Sequence, residues 1–146
     1  MDRSTLAQLW KESWDTDTWT ASWTKALDGL TPEQAAWRPA PGRHSIWQNV
    51  QHVTFWRNVT LDMLAGRPRP SDADTDARQF ALPAEPSTAA WADARGRLAQ
   101  SHQRLLEAIQ DERNSLERPR YHLAHDAYHL GQIMYIRALQ NLPPLL

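Results

Sequence analysis

Residues 119–144 read PRYHLAHDAYHLGQIMYIRALQNLPP. Pro119 suits the first position of a helix, where an N–H would have no partner anyway. Pro143 and Pro144 end the stretch. Proline inside a helix costs ~3 kcal/mol, so the chain can run helical only between prolines. The other prolines stand at 32, 39, 41, 68, 70, 83 and 86. They leave the proline-free segments 1–31, 42–67, 87–118 and 120–142. Each exceeds the mean helix of ~11–12 residues. No segment alternates apolar and polar residues between hairpin turns, as strands would. The pattern predicts an all-α fold, four helices around one core, in a single domain spanning 1–146.

Each segment carries its own helix signals. In the first, Leu6, Trp10, Trp14 and Ala21 share one face, with Trp19, Trp23, Leu27 and Leu30 opposite. One apolar stripe suffices to face a core, so the second suggests a partner surface, a dimer or a wide core face. The second segment opens with Ser45 followed by Gln48, a capping box, and closes at Gly66. Val50, Val53, Trp56, Val59 and Met63 form its apolar arc, with His52 at the edge. In the third, Ser87 is the cap, and Trp91, Ala94, Leu98, Leu105 and Ile109 recur at helical spacing. The stretch 67–86 is long for a bundle loop, long enough to cross over the bundle or flank a site.

Composition excludes several functions. The chain has no cysteine, so disulfides, thiolate zinc sites and cysteine nucleophiles are ruled out. Lys plus Arg total 16 against 17 for Asp plus Glu, so no strong field draws the protein to nucleic acid or membrane. The N-terminus lacks an unbroken apolar stretch, and no run approaches the ~20 residues of a spanning helix. The expectation is a soluble, cytoplasmic protein.

The six histidines carry the chemistry. His125 and His129 are one helical turn apart and stack on one face, close enough to share an ion at ~2.0–2.1 Å. A third ligand must come from another element, and His52 is the candidate. Three neutral imidazoles with an open position describe a catalytic metal site better than a closed structural one. Such an ion brings the pKa of its water to about 7. His122 lies on the same face, either a fourth ligand or a solvated residue at the helix start. His102 is expected at the surface or rim, and His44 in a loop. Other motifs fail. HDAYH has Asp126 where the zinc proteases have Glu. No Glu precedes a His by three residues, so the di-iron motif is absent. Asp72, Asp74 and Asp76 start like a calcium loop, but Ala77 and Pro83 break it.

The segments PGRHSIWQNVQHV and HLAHDAYHLGQI, with the connecting AAWRPAPG, resemble the DinB-like superfamily, the YfiT/DinB group. The resemblance covers roughly residues 5–140. It implies a four-helix bundle with a long connection between the second and third helices, usually dimeric. It also implies a divalent ion, zinc or nickel, held by His52, His125 and His129. Some members resemble transferases that activate a low-molecular-weight thiol such as bacillithiol or mycothiol; others are described as metal-dependent hydrolases. Three readings follow. One is an enzyme using a small-molecule substrate, with Arg57 or Arg120 anchoring a thiol's carboxylates and Asp126 orienting a ligand imidazole. Another is a non-catalytic metal-binding stress-response protein. The third is a bundle that oligomerises through its tryptophans. For a three-histidine site, metal affinity is expected to fall below about pH 6.5.

Overall fold

The structure is a computed structural model and describes residues 1–145. Among them there are seven helices and no strand: α1 (Arg3–Asp15), α2 (Trp23–Leu27), α3 (Pro32–Ala36), α4 (Ile46–Leu64), α5 (Asp72–Arg78), α6 (Thr88–Gln110) and α7 (Pro119–Leu139). The four long ones make the bundle. α4 packs against α6 and α7, and α1 packs against the same two from the far side.

Helix ends follow their local chemistry. The Ser45 hydroxyl accepts the Gln48 N–H, and the Gln48 side chain accepts the Ser45 N–H, completing the expected box. α4 ends in a Schellman motif. Gly66 takes φ +80°, its N–H reaches the Met63 carbonyl, and the Arg67 N–H reaches Asp62. A side chain there would be strained, which explains the glycine.

Segment 1–31 differs from expectation. α1 stops at Asp15, and helix resumes only at Trp23. The intervening Asp and Thr side chains compete for the backbone: Asp17 Oδ1 accepts the Ser22 N–H at 2.9 Å, and Ser22 then caps α2. Trp23, Leu27 and Leu30 therefore turn inward and join the core, while Trp19 is 99% exposed. Three of the four residues of the second apolar stripe are thus occupied by the chain's own fold, as a wide core face would have them. Two other elements were not anticipated. Thr31 and Gln34 form a second capping box over α3. The 67–86 connection contains α5, whose Asp72, Asp74 and Asp76 lie on a helix rather than in a loop.

The core comes in two apolar clusters. One gathers Trp23, Trp47, Val50, Trp91, Leu98 and Ile133; the other gathers Leu6, Trp10, Leu61, Leu105 and Ile109. Along α4, α6 and α7 alike, buried polar residues fall between the two: Arg57, then Ser101 and His102, then His122 and Asp126. A polar layer thus crosses the bundle.

Candidate metal centre

α4 and α7 bring His52, His125 and His129 together, with one ring nitrogen of each within 4.8 Å of the others. His52 Nε2 and His125 Nε2 face each other at 3.3 Å. Tetrahedral coordination with ~2.0–2.1 Å bonds would separate two ligand nitrogens by roughly 3.3–3.4 Å. Ring nitrogens facing at this distance repel unless a proton or cation lies between them, and one proton can bridge only two of the three. The donor set therefore fits a divalent ion.

Second contacts orient the rings. Asn49, one turn before His52 on α4, donates its amide to the Ser45 carbonyl at 2.9 Å. Its oxygen must then face His129 Nδ1, 2.7 Å away. Gln132 Oε1 also lies 3.0 Å from Nδ1. Both neighbours are acceptors, so Nδ1 carries the proton and Nε2 keeps its lone pair for a ligand bond. His125 Nδ1 lies 3.4 Å from Asp126 Oδ1, the orienting contact the sequence suggested. His52 Nδ1 is buried without a partner, so no hydrogen bond at that nitrogen accounts for the ring's placement. Phe80 does account for it in part: from the 67–86 connection it stacks on His52 at 4.5 Å and on His44 at 3.7 Å. Gln48 holds the Phe80 carbonyl and Gln51 the Arg78 carbonyl, tying this segment to α4.

Burial and neighbouring rings keep two of the three imidazoles uncharged. Burial, then the nearby His129, lowers His52 to about 3. Burial, then His125, lowers His129 to about 4. The rings are ready as neutral ligands at neutral pH. The His125 side chain is 30% exposed, so the cluster meets solvent on that side.

Asp126 lies behind His125, fully buried. Its carboxylate receives both the Nε and an Nη of Arg57, whose guanidinium is 0% exposed. Burial alone would push the Asp126 carboxyl up; Arg57 beside it holds the group below the usual carboxylate range. Trp10 and Trp23 lie over the guanidinium at 4.8 and 5.3 Å, and Ser101 and the Leu98 carbonyl take its remaining donor. Arg57 is thus closed off from any substrate, contrary to the anchoring role expected of it. Arg120 is exposed, with its guanidinium over the Tyr121 ring.

The other histidines also moved from expectation. His102 is buried rather than at the rim, stacked on Trp10 at 4.7 Å. His122 is buried, with Nε2 2.9 Å from Thr60 Oγ1. His122, His125 and Asp126 form a second close trio, but Arg57 already neutralises the carboxylate; Thr60 engages His122 Nε2, and His122 Nδ1 is buried without a hydrogen-bond partner. His44 is exposed in a loop, as expected. The sequence reading missed Asn49, Phe80 and a role for Gln132. Only Asn49 left a signal, one turn from His52 on the same helix.

A family model for the DinB superfamily matches residues 16–134. The chain belongs to this superfamily. No curated protein and no solved structure matches it. The superfamily match agrees with the all-helical bundle and with the resemblance of the two histidine segments. No helix is long and apolar enough to cross a membrane, among the described residues.

Proposed function

We propose that this DinB protein is a divalent-metal-dependent enzyme acting by hydrolysis or by S-transfer from a low-molecular-weight thiol. His52, His125 and His129 would hold the ion. When bound there, the ion would supply the acidity that makes water or a thiol nucleophilic near neutral pH. The observation that carries this reading is the convergence of three imidazoles from two helices, one partly open to solvent, with no carboxylate or cysteine closing the set. Three protein ligands and an open position characterise catalytic sites, while structural sites use four.

The chain's residues have separate tasks. Asn49 and Gln132 fix the His129 tautomer. Asp126, itself held by Arg57, orients His125 and makes its far nitrogen a better donor. Phe80 covers His52 and keeps water from that side. Arg57 is closed off by its ion pair, so a thiol's carboxylates would be met at the solvent-exposed rim. Zinc and nickel both suit imidazole ligands, and affinity order alone favours nickel only weakly.

The test begins with metal content of tag-free protein beside a His125→Ala, His129→Ala variant. About one ion per chain, lost in the variant, is expected. Esters, amides and thiol–electrophile pairs would then be screened with the loaded protein. Stoichiometric metal with no turnover on any of them would favour the non-catalytic reading. No metal after soaking with zinc or nickel would overturn the site.

A further inference from the structure

α4 and α6 run in the same direction. Trp47 packs on Trp91, Arg57 reaches the Leu98 carbonyl, and Arg104 reaches Asn58, so the contacts advance together along both helices. The connection 67–86 must therefore return the length of α4, ~28 Å at 1.5 Å per residue. Prolines at 68, 70, 83 and 86 keep it from returning as one packed helix. It bridges the two helices and leaves a groove of about 770 Å³ beneath it. Trp47, Thr54 and Phe55 of α4 and Ala90 of α6 line this groove, with Pro70 and Leu82 of the connection opposite. The volume falls in the range of small-molecule sites, ~300–1,000 Å³, which favour clefts between helices of bundles. Among the described residues no histidine lines the groove, so it is separate from the metal centre.

The charges on its walls are uneven. Asp62 and Asp93 are the acids there, and Arg67 and Arg97 hold them. Arg78, on the same walls, has no acid partner among the described residues. Its guanidinium lies over the Phe55 ring, 5.6 Å from the centroid. That contact occupies one face of the guanidinium and leaves its edge donors open. Gln51 holds the Arg78 carbonyl, which keeps the residue against α4. A planar fork of donors beside apolar walls is complementary to a carboxylate, which it can hold by two parallel hydrogen bonds. We propose that this groove binds a small organic carboxylate with an apolar body, the body between the helices and the connection, the carboxylate on Arg78. A cationic ligand would find both wall acids taken, and a neutral one would leave Arg78 unused. The inference stands whether or not the histidines bind metal.

Titration of the isotope-labelled, tag-free protein followed by NMR tests it. The probes are naphthoate, with a flat body, and decanoate, with an extended one, each beside its neutral amide. At least one carboxylate should saturate a single site per chain, and its amide should bind about tenfold more weakly or worse. The Trp47 indole N–H and the Phe55 amide should shift, while the residues around His125 should not. Arg78→Gln should weaken the carboxylate about tenfold or more, to the level of the amide. Ala81→Trp and Ala90→Trp, which fill the groove from the connection and from α6, should each abolish binding with unchanged helicity by circular dichroism. Failure of both carboxylates to saturate would overturn the proposal. So would equal binding of the amides, shifts confined to the surroundings of His125, or an affinity unchanged in Arg78→Gln or in both tryptophan variants.

Discussion

Arg57 of α4 and Asp126 of α7 form a fully buried ion pair across the polar layer, with His125 on the other side of the carboxylate. The pair joins the packing of the bundle to the orientation of one candidate ligand. Removing one partner leaves an uncompensated charge in the core. Arg57→Met should therefore destabilise the protein by about 3–5 kcal/mol in denaturant unfolding. Arg57→Met with Asp126→Leu should recover most of that loss. If the single variant were as stable as wild type, the pair would have no structural weight.

Asp126→Asn removes the carboxylate charge facing both Arg57 and His125. The amide keeps the shape but weakens the hold on His125. Metal affinity should drop about 10–100-fold, the usual effect of losing an orienting partner. Competition with a chromophoric chelator would measure it. An unchanged affinity would mean that Asp126 serves Arg57 alone.

Metal binding should release fewer protons than three free imidazoles would. His52 sits at about 3 and His129 at about 4 before any ion binds. Between pH 6.5 and 4.5 neither should compete through protonation. The affinity should change by no more than one proton per ion across that range, against three for unperturbed histidines. Chelator titrations at several pH values would give the slope. A slope of three would contradict the burial of these rings.

His102 makes stability itself depend on pH. Burial, then the nearby Arg57 charge, lowers it to about 3. The unfolded chain takes a proton there near pH 6.5 and the folded chain does not. Below about 6.5 the unfolded state thus binds more protons, and stability falls with pH until about 3. The slope is at most about 1.4 kcal/mol per pH unit for this residue. Unfolding of His102→Gln should show a shallower decline between pH 6 and 4 than wild type. An identical decline would assign the acid sensitivity to other groups.

Phe80→Ala should uncover His52. The stacking lost is worth about 0.5–1.5 kcal/mol beyond area, so a small drop in melting temperature is expected. Bound metal should exchange faster into chelator, with stoichiometry unchanged. Unaltered exchange would show that the connection does not guard the site.

The sequence by itself determined the all-helical class, the starts of α4, α6 and α7, and the ligand candidates. Prolines bounded the segments that could run helical, and Ser45, Ser87 and Pro119 marked those starts, because capping and proline chemistry act within one turn. Spacing put His125 and His129 on one face for the same reason. The end of α1 at Asp15 and the short helices α2, α3 and α5 were not legible in the sequence. Position along a chain says nothing about which distant groups meet. Only the tertiary structure placed Arg57 against Asp126, 69 positions apart, turned Trp23 inward, and buried His102. Only packing against α4 brought Phe80 over His52 and gave Asn49 the oxygen that sets the His129 tautomer. Those contacts depend on how α4, α6 and α7 cross, and that is decided by the shapes of the two apolar clusters on either side of the polar layer.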